Sequence, residues 1–170
     1  MNLLIGTAFL AASFFSGTTE LKIKSDAVKI QFVGDKETDG TIGGFQASIL
    51  FDAADLANST ISGTVDVKTL DTGIPKRDEH LKTADFFDAE KYPTMGFKST
   101  SITAEGDSFI MKGLMTIKDV EREETIKFTY ADDTFKAKST IQLSYYNVGG
   151  YAKKKPADTE VKISLLIPVL

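Results

Sequence analysis

From Val28 to the C-terminus, apolar and polar residues alternate with a period of two. Val28, Ile30 and Phe32 share one face, with Lys29 and Gln31 opposite. Phe45, Ala47, Ile49 and Phe51 repeat the pattern, entered through Gly43-Gly44. Ile61, Val65 and Val67 then alternate with Ser62, Thr64, Asp66 and Lys68. Further runs begin at Met95, at Phe109, at Ile126, at Phe135 and at Val161, which makes eight candidate strands. A half-buried antiparallel strand requires this alternation, because successive side chains point to opposite faces. Glu105-Gly106-Asp107, Asp132-Asp133 and Asn147-Val148-Gly149-Gly150 supply turn chemistry between runs. No helical periodicity extends beyond a turn or two. Asp52–Leu56, with Asp52 as its cap, and part of 76–87 are the short helix candidates.

Many short strands with regular turns predict an all-β sandwich or closed barrel. Eight strands in a barrel leave an interior that is either just filled or able to hold one small ligand. Alternation alone does not choose between these. It does choose the inward face, which would carry Phe45, Ile49, Phe97, Met111, Met115, Phe128, Tyr130, Leu143, Tyr145, Ile163 and Leu165. The glycine pairs lack phosphate-loop spacing and are expected at a bulge or barrel corner.

The chain has 170 residues and a net charge of −4, enough for one domain with a real core and unsuited to general attraction to nucleic acid. It has no cysteine, which excludes disulfides and thiolate chemistry. Leu3–Phe15 is an uncharged apolar run, too short to span a bilayer comfortably and of signal-peptide length, followed by small residues. Residues 1–18 are therefore expected to be a signal peptide and 19–170 the folded domain, periplasmic or secreted, with no membrane span after cleavage.

The least generic stretch runs from Ile61 to Phe97. Its middle is dense in charge and holds the single histidine, His80, beside Asp78 and Glu79, with Asp85 and Asp88 following. A histidine among carboxylates is raw material for a general base. Yet one histidine and no cysteine make a zinc site unexpected, and no Gly-x-Ser-x-Gly elbow is present. A hydrolase centred on His80 is the least favoured reading. As a structural clasp the stretch is coherent. Arg77 could grip a carboxylate bidentately, Leu81, Phe86 and Phe87 could plug one end of a barrel, and Tyr92-Pro93 would fix the entry to the next strand.

FDAADLANSTISGTVDVKTLDTG, KRDEHLKTADFFDAEKYPTMGFKSTSI and GLMTIKDV, in that order, resemble the YceI family of polyisoprenoid-binding proteins. Arg77-Asp78, His80-Leu81, Asp85-Phe86-Phe87 and Lys91-Tyr92-Pro93 carry the resemblance. It implies an eight-stranded antiparallel lipocalin-like β-barrel with a short helical connection around 76–88. It also implies a tunnel for a long isoprenoid or other lipid, export, and no settled catalytic activity. The expected lining is Phe45, Ile49, Val65, Phe97, Met111, Met115, Phe128, Tyr130, Leu143 and Ile163. Arg77, Asp78, His80, Asp85 and Tyr92 are expected to be structural, with His80 hydrogen-bonded. No catalytic residue, metal or cofactor is expected, and a homodimer is left open. The rival reading is an envelope stress or interaction module whose barrel is packed solid.

Overall fold

The computed structural model describes residues 18–34 and 38–170; the apolar run read as a signal peptide lies outside them. Eight antiparallel strands close into a barrel in which each strand pairs with its sequence neighbours and β8 pairs with β1. They are β1 (Lys29–Val33), β2 (Asp39–Leu50), β3 (Thr60–Asp71), β4 (Thr94–Glu105), β5 (Ser108–Ile117), β6 (Val120–Ala131), β7 (Thr134–Gln142) and β8 (Glu160–Pro168). One helix, α1 (Pro75–Lys82), sits between β3 and β4. Pro75 opens it at a position where a missing N–H costs nothing. Closure leaves no strand without a partner on either side, although some pairings cover only part of a strand.

All eight strands predicted from alternation are present, but three boundaries differ. β2 begins at Asp39, and Gly43-Gly44 lies inside it, where the register against β3 shifts, so the pair marks a bulge. β6 begins at Val120, because its first half, Val120-Glu-Arg-Glu-Glu-Thr125, carries too few apolar residues to show a period. β7 stops at Gln142, and Leu143–Tyr146 turns into a 3-10 helix. That turn changes which tyrosine is inside. Tyr145, expected inward, is 42 % exposed, and Tyr146 is wholly buried. Asp52 does not cap a helix over 52–56. Its carboxylate accepts a bond from the Ala54 amide at 2.8 Å, and the helical turn comes later, at Leu56–Asn58.

The two ends of the barrel are built differently. At one end the chain before β1 lies across the opening: the Leu21 amide donates to the Ile49 carbonyl at 2.8 Å and that of Lys24 to the Pro168 carbonyl at 2.9 Å. Phe51 fills the space above, edge-on to Phe109, Phe128, Tyr130 and Phe135 with ring centroids 5.1, 5.6, 5.4 and 5.4 Å away. We call this end the floor. The other end holds Gly34 and Thr38 beside the ends of β1 and β2, α1 with the loop to β4, and the long β7–β8 connection. We call it the mouth.

Candidate ligand cavity

The inward faces do not meet in the middle. They enclose an apolar cavity of about 220 Å3 that runs from the floor layer of Ile49, Phe128, Phe135 and Ile167 to Leu81, Phe87, Leu143 and Tyr151 at the mouth. Two glycines explain part of this space. A Cβ on Gly63 would lie 2.9 Å from the Phe45 ring, and one on Gly113 would lie 2.5 Å from that of Phe97. Without those side chains, each ring from a neighbouring strand lies flat along the wall instead of crossing the lumen. Met95, Met111 and Met115 also line the cavity. Unbranched and polarizable, they let one wall adapt to what it touches.

Of the residues expected to line a tunnel, Phe45, Ile49, Val65, Phe97, Met111, Met115, Phe128, Leu143 and Ile163 face the cavity. Tyr130 does not. It follows Phe128 on the same face of β6 but lies beyond the floor, stacked on Phe135 at 4.4 Å with its hydroxyl 3.4 Å from Asp133. Alternation gives the face of a strand but not how far along it the lumen extends. Met95 shares the face of Phe97 and was legible in the same pattern. Tyr151, on a connection without periodicity, gave no signal.

The wall is irregular at one seam. β6 and β7 pair only from Lys127–Ala131 to Thr134–Lys138, so the mouth half of β6 stands apart from β7. Tyr146 is associated with this seam, and its hydroxyl donates to Glu124 Oε1 at 2.7 Å. Burial, then Glu124, raises the Tyr146 phenol far above its ordinary pKa, which keeps it a donor. Next to it the Arg122 guanidinium lies over the Tyr145 ring at 4.4 Å.

The charged central stretch forms the other side of the mouth. Asp78 is buried, and its Oδ1 accepts from both the Thr72 amide, at 2.9 Å, and the Thr72 hydroxyl, at 2.5 Å. Burial opposes its charge, but the two Thr72 bonds, with Lys82 and Arg77 nearby, outweigh it and hold the carboxyl below the usual carboxylate range. Arg77 does not grip a carboxylate as expected. Its Nε donates to Thr72 Oγ1 at 2.7 Å and its Nη2 to the Thr72 carbonyl at 3.0 Å, because the short α1 turns it back on the strand it follows. Both residues thus anchor α1 to the end of β3.

His80 is also not held as expected. Its side chain is 61 % exposed, its Nε2 is 3.7 Å from the exposed Asp85 carboxylate, too long for a hydrogen bond, and its ring lies edge-on to Phe86. The Tyr92 amide donates to the Asp88 carbonyl at 2.8 Å, closing the loop before β4. Arg77, Asp78, His80, Asp85 and Tyr92 therefore do not converge on one point. Their neighbours Leu81 and Phe87 are the residues of this stretch that reach the cavity. A Cβ on Gly149 would collide with the Asp85 carbonyl and lie 2.9 Å from the Phe86 ring, so the two mouth segments touch there. Among the described residues, no helix is long and apolar enough to cross a membrane.

Residues 21–168 match the YceI-like domain along almost the whole barrel. The chain belongs to the YceI family. Protein YceI of Escherichia coli is 27% identical over 183 residues, covering 96% of this chain and 95% of that one. A UPF0312 protein of Photorhabdus laumondii is 27% identical over 147 residues, covering 81% of this chain and 77% of its own length. The crystal structure of BcnA from Burkholderia cenocepacia superposes with a TM-score of 0.78 and 28% identity over 86% of this chain and 98% of that one. A polyisoprenoid binding domain from Saccharophagus degradans, implicated in plant cell wall breakdown, shares the fold, with a TM-score of 0.62 at 12% identity, over 88% of this chain and 97% of its own. The YceI barrel is thus the frame on which this cavity is built.

Proposed function

We propose that this YceI domain sequesters or carries an apolar or amphiphilic molecule, an isoprenoid or another lipid, inside the barrel. The observation that carries the reading is the continuous apolar cavity at the centre of a closed barrel, where a solidly packed module would have interdigitated side chains. The polyisoprenoid-binding domain of Saccharophagus degradans, which shares the fold, supports the ligand class. Binding rests on burial, at roughly 0.8 kcal/mol per methylene removed from water, so few polar contacts are needed. Nothing in the mouth clasp brings a base, a nucleophile and a substrate space together, which supports a binding role over turnover.

Native mass spectrometry of the purified protein tests this, with a co-purifying lipid as the expected result. Alongside it, the fluorescent apolar probe N-phenyl-1-naphthylamine should bind the wild type. It should not bind an Ala137→Phe variant, whose new ring would occupy the lumen. Equal probe binding by a folded variant would sink the assignment of binding to this cavity. We also propose export, with residues 1–18 removed; N-terminal sequencing of the periplasmic form should begin near Thr19.

A further inference from the structure

We infer that the barrel measures chain length: it accepts about nine to twelve carbons of a single tail, and Phe128 and Phe135 are the stop against which the tail ends. This inference rests on the carrier reading above and adds a substrate limit to it.

Depth gives one measure. The lining residues of β8 run from Val161 to Ile167, and those of β7 from Phe135 to Ile141. Six strand steps cover about 20 Å, or about 15 Å along the axis of a barrel with the usual strand tilt. A zigzag hydrocarbon built from bonds of about 1.5 Å advances about 1.25 Å per carbon, so that depth takes about twelve carbons. Volume gives a second measure. A protein cavity of about 150 Å3 accommodates benzene, six carbons, and in proportion 220 Å3 accommodates about nine. The two measures bracket a tail of about nine to twelve carbons, and a lumen this small and this deep favours a single extended chain.

The stop is firm. Phe128 and Phe135 are 2% and 3% exposed, and both rest on Phe51, which is wedged among four rings. Val169 belongs to the same buried cluster as Phe51, and Leu21 and Ile23 pack against it. A close-packed stack of this kind does not yield to one more methylene. The mouth has its own buried cluster, around Leu81, Phe87, Tyr146 and Val148, but it does not seal the lumen. Thr38 and Tyr151 line the cavity there and are only half-buried, so surplus chain leaves by that end.

The test displaces N-phenyl-1-naphthylamine with 1-alkanols of six to fourteen carbons, then with geraniol, farnesol and geranylgeraniol. Affinity should rise about fourfold per carbon up to about nine to twelve carbons and less than twofold per carbon beyond. Farnesol and geranylgeraniol, five carbons apart, should then differ by less than about thirtyfold, where an unbroken rise would give about a thousandfold. Phe128→Leu and Phe135→Leu deepen the floor and should each move the break outward by about two carbons. A fourfold rise that continues unbroken through fourteen carbons overturns the ruler and leaves the carrier reading standing. A break that neither leucine variant moves overturns the assignment of the stop to these rings. Failure of every alcohol to displace the probe overturns the carrier reading itself.

Discussion

The floor and the mouth each close the same barrel over a buried apolar cluster, but the segments that cover them are attached differently. At the floor, Phe51 contributes nothing polar; it is fixed by four rings and the chain passing beneath them. At the mouth, a second buried apolar cluster that includes Leu81, Phe87, Tyr146 and Val148 is pinned at its edges by hydrogen bonds: Thr72 with Asp78 and Arg77, and Tyr146 with Glu124. Apolar packing is lost in large amounts when disturbed, whereas each hydrogen bond contributes only about 1 kcal/mol net. One end sets a dimension; at the other, α1 and the β7–β8 connection lie outside the strand ladder and can move without breaking strand pairs. A carrier needs both.

The largest expected effect breaks the floor. Phe51→Ala removes a buried ring that touches four others and should destabilise the fold by about 3–5 kcal/mol, read as a fall in the denaturant midpoint. A loss below about 1 kcal/mol would mean that the rings collapse into the gap and that the floor is not a rigid stop.

The next effect is at the mouth and carries a pH signature. Asp78→Ala leaves the Thr72 amide and hydroxyl without their acceptor, and should cost about 1–3 kcal/mol. The folded Asp78 carboxyl titrates below its ordinary value, so its charge adds stability that is complete above the unfolded pKa, about 3.9, and is lost as pH falls through the folded value. Asp78→Asn keeps an oxygen acceptor and loses the charge. The stability gap between wild type and Asp78→Asn should be full near neutral pH and shrink below about pH 4. A constant gap would place the Asp78 effect in packing and not in charge.

Most of the barrel was legible because its period is two and its interior is apolar: Ile30, Ile49, Met111 and Phe128 could only face inward. What escaped was position along the axis and everything outside the ladder. Tyr130 has the right face and the wrong depth. Tyr145 and Tyr146 exchange roles because β7 ends one turn early, and no periodicity marks that. Arg77 was read from its chemistry, which matches a carboxylate, but the nearest acceptors after a tight turn were the hydroxyl and carbonyl of Thr72.

A smaller effect separates the two sides of the mouth. Tyr146→Phe keeps the buried ring and deletes the bond to Glu124, which is only half-buried and can turn to water. The loss should be about 1 kcal/mol in the thermal or denaturant midpoint. The same variant should speed probe release if the β6–β7 seam contributes to ligand exit, as stopped-flow dilution would show. Faster release from Asp78→Asn and unchanged release from Tyr146→Phe would assign exit to the α1 side alone.

The smallest expected effect concerns the residue that first suggests chemistry. His80 is the single histidine, it lies among carboxylates, and it sits in the least generic stretch of the chain. Its environment removes each reason to expect an effect. The side chain is mostly exposed, its partner Asp85 is 80 % exposed, and the two stand 3.7 Å apart, where water and salt screen the interaction. The adjacent Leu81 points into the cavity, whereas His80 is exposed and is not among the cavity-lining residues. His80→Ala should therefore shift the unfolding free energy by no more than about 0.5 kcal/mol and leave the displacement curve of dodecanol unchanged. A tenfold loss of affinity in a folded His80→Ala protein would bring the charged stretch back into the site and make the mouth a recognition surface instead of a clasp.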